Sequence, residues 1–247
     1  MTPTATEVHV NTTATHATAQ HIGDRSHQCD AAATSSQQGV RAYALLDGIG
    51  STATIREWTR RTARSLARTA AATGDAHTAL TRVYDRVAAE PGRDNPFQEP
   101  PAACAVVAVP RPDGVLSVAW CGDVRAYLLT GGQLEQLTVD HNRRQVLIDH
   151  GRAPGPYDRN LVTSYLGSTE TTPGEGERDL IGVALRPLGG RLLLASDGAY
   201  EPLEDSARDL SQYLAGAPAD AARAFVRAAV AHAPVRADNA TVLVADV

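Results

Sequence analysis

Residues 43–50 read Tyr-Ala-Leu-Leu-Asp-Gly-Ile-Gly, an apolar run that ends on the carboxylate of Asp47 and is followed at once by a glycine. The same design recurs in residues 191–198, Arg-Leu-Leu-Leu-Ala-Ser-Asp-Gly, and Asp238 precedes a third apolar run at residues 240–245. Short apolar runs bounded by turn residues predict buried strands. Three carboxylates are therefore predicted to lie at the ends of three strands, where a fold can gather acidic side chains into one cleft.

A plain hairpin turn is the alternative explanation for Asp47 and Asp197, because Asp-Gly is one of the commonest hairpin-turn dipeptides. The residues that follow Asp47 weaken this alternative without removing it. Apolar residues at Ile55, Trp58 and Leu66 are separated by arginines, which is the spacing of a helix rather than of a second strand. Asp47 is therefore predicted to lie at a strand-to-helix corner.

The order of the predicted elements favours strands and helices that do not alternate regularly. Two helices, at 51–72 and 76–89, follow the first long strand, so a doubly wound parallel sheet is not expected. After residue 100, strands are predicted at 104–109, 115–120, 125–129 and 133–137, with the spacing of an antiparallel meander. They are followed by a predicted helix at 142–150 and strands at 161–166 and 179–185. The last predicted elements are helices at 206–214 and 219–233 and a strand from 240. A sheet sandwich flanked by helices fits this order better.

The first 20 residues are expected to be less ordered than the rest of the chain. Residues 1–20 are rich in Thr and Ala, with a hint of a strand only at 7–10, so we expect this segment to be frayed. Residues 21–247 are then expected to form a single domain. Within it, residues 152–159 hold two prolines and a glycine and could form a flap over a cleft.

Composition excludes several classes of protein. A chain of 247 residues with 43% hydrophobic and 21% charged residues is an ordinary globular chain. Its formal charge of −5 argues against nucleic acid as a partner, because a protein that binds the phosphate backbone is expected to have an excess of positive charge. Three cysteines without a Cys-x-x-Cys pair suggest neither a disulfide framework nor a zinc site. No signal peptide or run of about 18 apolar residues is evident, so we expect a cytoplasmic chain that makes no membrane contact.

The acidic residues of the predicted cleft suggest a metal site. Asp30, Asp47, Asp197 and Asp238, with Asp123 as a fifth candidate, offer only oxygen ligands, which suit Mg²⁺ or Mn²⁺ rather than zinc. Two such ions that share a carboxylate can lower the pKa of a bridging water and stabilise its attack on phosphorus. An arginine such as Arg25 can grip two phosphate oxygens at once. Scattered surface acids remain the alternative explanation of this spacing.

Seven short motifs appear in order over almost the whole chain. They are Arg25 five residues before Asp30, Leu46-Asp47-Gly48-Ile49-Gly50, Cys121-Gly122-Asp123-Val124-Arg125-Ala126-Tyr127-Leu128, Leu137-Thr138-Val139-Asp140-His141, Tyr165-Leu166-Gly167, Ala195-Ser196-Asp197-Gly198, and Asp238-Asn239-Ala240-Thr241-Val242. Each motif is weak alone. In this register they make the chain resemble the metal-dependent Ser/Thr protein phosphatase family, the PPM or type 2C phosphatases, in its bacterial single-domain form.

The resemblance implies a set of metal ligands. Asp47 would bridge two Mn²⁺ or Mg²⁺ ions, and the carbonyl of Gly48 would bind one of them. Asp197 and Asp238 would complete the ligands of the other ion. Asp30 would assist through a direct or water-mediated contact.

The resemblance also implies other roles and a fold. Arg25 would bind the substrate phosphate, Asp123 resembles the acid that holds a weaker third metal ion in bacterial members, and Asn239 would support the site. The family's fold is a four-layer α-β-β-α sandwich, with two central antiparallel sheets flanked by helices. This fold agrees with the order of elements predicted from the sequence.

Four residues depart from the family's pattern, and one of them is Val124, which replaces the serine that usually follows Asp123. Ile49 stands where many members have a His that is proposed to protonate the leaving group. Cys29 replaces the carboxylate that usually precedes Asp30, which removes one acid from around the metal site. Ser51 replaces a glycine. The core ligands are all retained.

The expected function is hydrolysis of phosphoserine and phosphothreonine by a water that bridges the two ions, with phosphorylated proteins as partners and the chain acting as a monomer. A catalytically weak or inactive phosphatase-like binding module is one alternative, and a phosphatase of small-molecule phosphate esters is another. The arginines of residues 51–68 are expected to form a solvated helix face, with a docking surface for an acidic partner as the less favoured interpretation. His141 is expected to be a turn and helix-entry residue rather than a ligand.

Overall fold

Four layers are built from the part of the chain that the computed structural model describes, residues 9–12, 15–95, 97–233 and 236–247. The strands are β1 (His9–Thr12), β2 (His16–His21), β3 (Ala31–Gln37), β4 (Val40–Gly48), β5 (Ala103–Pro110), β6 (Val115–Cys121), β7 (Arg125–Thr130), β8 (Gln133–Gln136), β9 (Gly182–Pro187), β10 (Arg191–Ala195) and β11 (Ala240–Asp246). The α-helices are α1 (Ala53–Thr73), α2 (Ala76–Ala88), α3 (Arg143–Asp149), α4 (Asp197–Asp205) and α5 (Pro218–His232), and 3-10 helices span Asp158–Asn160 and Leu210–Tyr213.

The strands form two antiparallel sheets at the centre of the molecule. One has the order β1-β2-β11-β10-β7-β8, and the other has the order β3-β4-β5-β6-β9. Helices α1 and α2 cover the outer face of the five-stranded sheet, and α4 and α5 cover the outer face of the six-stranded sheet. The predicted four-layer sandwich with two antiparallel sheets flanked by helices is confirmed.

The apolar run of β4 is continuous because both of its faces are buried. Ala44 and Leu46 pack against the helix layer of α1 and α2, whereas Tyr43 and Leu45 point into the core between the two sheets. Side chains alternate between the faces of a strand, so a strand in a middle layer needs apolar residues at every position. The same reason accounts for the run of leucines in β10, where Leu193 faces the outer helices and its neighbours face the other sheet.

The predicted meander is wrong at its centre. Strands β5 and β6 pair with each other in the five-stranded sheet, but β7 and β8 pair with each other in the six-stranded sheet. The chain changes sheets at Gly122, which has a φ of +96° and whose missing side chain leaves room for Cys104. A glycine there permits a corner between layers rather than a hairpin turn.

Two further elements differ from the prediction. Residues 161–166 form isolated bridges instead of a strand: Val162 pairs with Asn142, and Leu166 pairs with Ala103 and with Ser168. The helix predicted at 206–214 is reduced to the 3-10 helix Leu210–Tyr213, because α4 already begins at residue 197 and ends at 205.

Within the segment expected to fray, residues 9–12 form β1 and residues 16–21 form β2. Strand β2 lies between β1 and β11, with Ala17 and Ala19 fully buried under the helix layer. Small side chains at these positions let α5 approach the sheet closely. Residues 1–8, 13 and 14 lie outside the described residues, so the expectation that they are frayed stays a prediction.

Candidate metal centre

A cleft of about 390 Å³ gathers residues from the ends of several strands and the loops between them. The charged residues that line it are Arg25, Asp47, Asp123, Arg159, Asp197, Glu201, Asp205, Arg236 and Asp238. Of the residues predicted to form a site, Arg25, Asp47, Gly48, Asp123, Asp197 and Asp238 line this cleft. Asp30 and Asn239 do not line it and lie behind its wall.

Asp47 reaches the cleft because β4 ends in a close contact with α1. The position of Gly48 is so crowded that a Cβ atom there would lie 2.7 Å from the carbonyl oxygen of Cys29 and 2.7 Å from Oγ1 of Thr59. Only glycine fits without moving backbone atoms. The next residue, Ile49, is exposed at the rim, and its N–H donates to the carbonyl of Ala102.

Asp197 and Asp238 meet at one edge of the six-stranded sheet. Asp197 is the first residue of α4, directly after β10, and Asp238 precedes β11, the antiparallel neighbour of β10. The end of one strand and the start of its antiparallel neighbour lie side by side. Each carboxylate also accepts a hydrogen bond from the backbone N–H of the next residue, at 2.6 Å from Gly198 and at 2.7 Å from Asn239.

Arg25 is held over this edge by an ion pair with Asp238, with 2.5 Å between Nη2 and Oδ2. Two hydrogen bonds fix the neighbouring backbone: the N–H of Asp24 donates to the carbonyl of Ala237 at 2.8 Å, and the N–H of Ala237 donates to Oδ2 of Asp24 at 2.9 Å. The Arg25 side chain remains 44% exposed. A cation is therefore presented to the cleft by a loop that is tied to the residue before Asp238.

Asp30 lies behind the wall of the cleft, where it lines a second, smaller pocket together with Arg60 and Arg64. Its Oδ2 accepts a hydrogen bond of 2.9 Å from Oγ of Ser196, and its Oδ1 is buried without a hydrogen-bond partner among the described residues. Burial raises the pKa of Asp30 to about 8, and the charges of Asp197 and Asp238 act in the same direction.

Asn239 closes the same wall. Its side-chain oxygen accepts from the N–H of Cys29 at 2.7 Å, and its side-chain nitrogen donates to the carbonyl of Ile22 at 2.8 Å. Both bonds connect β11 to the loop that carries Arg25. Asn239 therefore positions the loop and does not face the cleft.

The carboxylates of the cleft are crowded enough to resist ionisation. Burial, followed by the charge of Asp197, raises the pKa of Asp47 well above its ordinary value and that of Asp123 to about 7. The pKa of Asp197 is also raised, first by burial and then by the charge of Asp238. Such shifts mean that the cluster favours either protons or a bound cation.

The donor set fits a divalent cation such as Mg²⁺ or Mn²⁺, because it consists of carboxylate and carbonyl oxygens. Within the described ranges, no three His, Cys, Asp or Glu side chains are so arranged that they hold one ion as they stand. The ion pair with Arg25 occupies Asp238, whereas Oδ1 of Asp30 has no described partner. Polar atoms this deeply buried are almost always paired. The residues therefore fit a cation once the Arg25–Asp238 pair opens.

Sequence reasoning missed the acidic face of α4. Glu201 and Asp205 follow Asp197 at intervals of four residues, so all three share one helix face and line the cleft. Burial, followed by the charge of Asp197, raises the pKa of Glu201 to about 8. The four-residue spacing of these acids is typical of one helix face. Gly198 and Pro202 are poor helix formers, however, so the sequence around them does not predict a helix.

Two arginines on the rim were also missed as site residues. Arg159 ends the segment that was predicted as a flap, and it pairs with Asp205 at 2.9 Å and Glu201 at 3.3 Å. Arg236 lies two residues before Asp238 and lines the cleft from the opposite loop. No sequence pattern connects these arginines to the acids, because their positions depend on loops that meet only in the folded chain.

Asp123 is held by a buried network behind the cleft. Its carbonyl accepts a hydrogen bond of 2.9 Å from the hydroxyl of Tyr200, and the guanidinium of Arg125 lies 3.9 Å above the ring of Tyr200. Arg125 donates in turn to both carboxylate oxygens of Asp140 at 2.8 Å. Strand β7 and helix α4 are thus joined next to Asp123.

Comparison with known proteins identifies relatives of this chain. The sequence model of the family described as Protein phosphatase 2C matches residues 8–145. The serine/threonine protein phosphatase PstP of Mycobacterium tuberculosis is 33% identical over 137 residues, which are 53% of this chain and 25% of that protein. The chain spans about a quarter of the length of the curated relatives that it matches.

Solved structures extend the likeness over almost the whole chain. PppA, described as a key regulatory component of T6SS in Pseudomonas aeruginosa, has a TM-score of 0.72 and 26% identity over 93% of this chain and 95% of its own. The catalytic domain of PstP in complex with two manganese ions has a TM-score of 0.71 and 25% identity over 97% and 99%. The phosphatase MsPP of Mycobacterium smegmatis in complex with cacodylate has a TM-score of 0.71 and 26% identity over 94% and 97%.

Proposed function

The chain belongs to the protein phosphatase 2C family, and from this premise we propose that it is a metal-dependent phosphatase that hydrolyses phosphoserine and phosphothreonine in proteins. One observation carries the proposal: carboxylates from separate parts of the chain, Asp47, Asp197 and Asp238, line one cleft together with Arg25. The family match ends at residue 145, so Asp197 and Asp238 lie outside it. Their position in the same cleft as Asp47 supports their inclusion in the site.

The proposed metal ligands are the residues that are crowded in this cleft. Asp47, the carbonyl of Gly48, Asp197 and Asp238 would hold two Mn²⁺ or Mg²⁺ ions, with Asp30 behind them. When bound, the two ions would activate a water for attack on phosphorus and neutralise the charge that develops on the phosphoryl oxygens. The raised pKa values of Asp47 and Asp197 support this assignment, because a cation would compensate the buried negative charges whose burial and mutual repulsion raise them. A third, weaker ion would be held at Asp123.

Arg25 would bind the phosphate of the substrate. Its guanidinium is partly exposed at the cleft and is paired with Asp238 through a single nitrogen, Nη2. A guanidinium can hold two phosphate oxygens in parallel hydrogen bonds, so an incoming phosphate can replace the carboxylate as its partner. Loss of this contact would remove ground-state binding, so Arg25→Ala should mainly raise KM.

Two of the residues that depart from the family's pattern, Cys29 and Ser51, form hydrogen bonds in the loops beside the cleft. Cys29 is buried, and its thiol donates to the carbonyl of Thr52 at 3.6 Å. Ser51 exchanges hydrogen bonds with Ser26, which stabilises the loop that carries Arg25. Ile49 offers no proton to a leaving group, so that proton must come from another group in the cleft.

The proposal also covers the extent of the catalytic domain, its substrates and its location. We infer that the phosphatase fold, from about residue 21 to 247, is one catalytic domain that acts on phosphorylated proteins as a cytoplasmic monomer. In the described part of the chain no helix is both long and apolar enough to cross a membrane.

The test is phosphate release from a phosphothreonine peptide and from p-nitrophenyl phosphate, with Mn²⁺, Mg²⁺ or EDTA. Asp47→Asn and Asp197→Asn should each lower kcat at least about 100-fold, since each removes a proposed ligand of ions that contribute several kcal/mol. The control is Asp94→Asn, which removes an exposed carboxylate outside the cleft. Circular dichroism checks that each variant is folded.

Each outcome of this test separates the proposal from an alternative. Wild-type turnover that EDTA abolishes, and that only the control variant retains, would support the proposal. Full activity in Asp197→Asn would refute the ligand assignment. No release from a folded wild-type chain with either metal would favour a binding module, and release only from the small ester would favour a small-molecule substrate.

A further inference from the structure

Helices α1 and α2 carry a concentrated positive charge. Residues 53–88 hold seven arginines and three acidic residues, a net charge of +4, although the whole chain has a net charge of −5. None of these seven arginines forms an ion pair with a described residue, whereas ten of the other sixteen do. The arginines of α1 and α2 therefore differ from most other arginines of the chain, which do pair with acidic residues.

Four of the arginines line a groove between α1 and α2, of about 400 Å³. We call it the arginine groove, and its lining residues are Trp58, Arg61, Thr62, Arg64, Ser65, Arg68, Arg86 and Glu90. Arg61, Arg64 and Arg68 recur at helical spacing and so share one face of α1. Across the groove, Nη1 of Arg86 donates to Oγ of Ser65 at 2.9 Å, which fixes one guanidinium in place.

The carboxylate in the groove is already neutralised. Glu90 accepts from Nη2 of Arg93 at 2.6 Å, and the Arg93 side chain is buried, with its guanidinium 5.3 Å from the ring centre of Trp58. Glu90 therefore does not compensate Arg61, Arg64 or Arg68. Like charges one helical turn apart repel each other, and an anion bound between them would relieve this repulsion.

We propose that the arginine groove binds an acidic segment of the protein substrate, and this proposal rests on the proposed phosphatase function. The start of α1 packs against Gly48, where Ile55 and Thr59 come within 2.9 Å of a Cβ atom built on the glycine. The groove thus lies along a helix that begins at the cleft. Guanidinium groups match carboxylates in bidentate pairs, and their combined field attracts anionic segments.

The position of the groove sets a minimum spacing within the substrate. Arg61 and Arg68 lie 8 and 15 residues beyond the start of α1 at Ala53, which corresponds to roughly 12–23 Å along the helix axis. An extended chain covers this distance in about 4–7 residues. The acidic residues should therefore lie at least about 4–7 residues from the phosphorylated residue.

The test compares two variants that each remove two exposed arginines without described acidic partners. R61Q/R68Q changes the groove, and R144Q/R227Q changes α3 and α5 as the matched control. The probes are a labelled phosphothreonine peptide with an Asp/Glu cluster at the spacing above, and the same peptide with Gln and Asn in the cluster. Binding is measured by fluorescence anisotropy with Mn²⁺ in an Asp197→Asn background, and turnover is measured in the active chain.

R61Q/R68Q should weaken binding of the acidic peptide about 2- to 30-fold at low ionic strength, the combined effect of two exposed ion pairs, and R144Q/R227Q should leave it unchanged. In turnover, KM for the acidic peptide should rise by the same factor with kcat unchanged. Turnover of p-nitrophenyl phosphate should be the same in both variants.

Other outcomes would overturn the assignment. Equal affinity of both variants for the acidic peptide would refute the groove as its site. Tighter binding of wild type to phosphatidylserine vesicles or to RNA than to the peptide, lost in R61Q/R68Q, would refute the proposed occupant. Peptide binding that follows the prediction in a chain that releases phosphate from no substrate would refute the phosphatase function and leave the groove assignment standing.

Discussion

Replacement of Arg125 should test the buried network behind the cleft most directly. Arg125 is 7% exposed, donates to both carboxylate oxygens of Asp140 at 2.8 Å, and donates to Glu204 at 2.9 Å. Arg125→Leu fills much of the same volume but leaves Asp140 buried without its main partner. The change therefore isolates the cost of an uncompensated charge from the cost of a cavity.

The expected loss is about 3–5 kcal/mol, the usual cost of removing one partner of a buried ion pair. A single domain is stable by only about 5–15 kcal/mol, so this loss is a large share of the total. For a chain of 247 residues each kcal/mol corresponds to roughly 2–4 °C in Tm, which predicts a decrease of about 6–20 °C. Loss of the cation–π contact with Tyr200 adds about 1 kcal/mol.

The assay is urea unfolding of Arg125→Leu, Asp140→Leu and the double variant. If the loss comes from the unpaired charge, the double variant should be clearly more stable than Arg125→Leu, because two apolar residues need no partner. Arg186→Leu is the control, since its pair with Glu135 is exposed and should contribute less than about 1 kcal/mol. A loss below 1 kcal/mol for Arg125→Leu, or a double variant as unstable as the sum of the singles, would refute this reasoning.

Two further predictions concern buried rings. Burial lowers the pKa of His141 to about 4, from 6.5. The neutral ring therefore contributes to the free energy of unfolding above pH 6.5, and this contribution is lost as the pH falls through 4. Between pH 7 and 4, wild type should therefore lose about 3 kcal/mol more than His141→Leu, and parallel pH profiles of urea unfolding would contradict this. Phe225→Ala should cost about 3–5 kcal/mol because the ring is fully buried, whereas Phe97→Ala, with Phe97 94% exposed, should change the free energy of unfolding by less than about 0.5 kcal/mol. Similar values for both would show that burial is not the cause.

The layered fold was predictable from short apolar runs because the central strands are covered on both sides. Leu45 and Leu46 face opposite layers, and both layers exclude water. What the sequence does not encode locally is which sheet a strand joins. Cys121-Gly122-Asp123 resembles a hairpin turn, and only its contact with Cys104 on a neighbouring strand makes it a corner between sheets.

The site was predictable where a carboxylate follows a strand, and not where it depends on loops. Asp47 is the second-last residue of β4 and Asp197 lies two residues after β10, and both line the same cleft. Glu201 was hidden because Gly198 and Pro202 weaken the helix pattern that would have connected it to Asp197. Arg159 and Arg236 reach the cleft from loops whose positions depend on contacts made only in the folded chain.

The distribution of charge connects the cleft with the arginine groove. Burial raises the pKa of Asp30 to about 8 and that of Asp123 to about 7, against an ordinary value of 3.8. A carboxyl with a raised pKa stabilises the fold below its ordinary pKa, and this contribution is lost as the pH rises through 7 to 8. At neutral pH these acids therefore oppose folding, and the neighbouring arginines on one face of α1 repel one another. Asp30 lines a small pocket together with Arg60 and Arg64 of α1, yet among the described residues neither Asp30 nor Asp123 forms an ion pair with an arginine of α1 or α2. Both sets therefore keep charge that a ligand would neutralise: in our proposals, a metal cation at the acids of the cleft and an acidic segment of a substrate at the arginine groove.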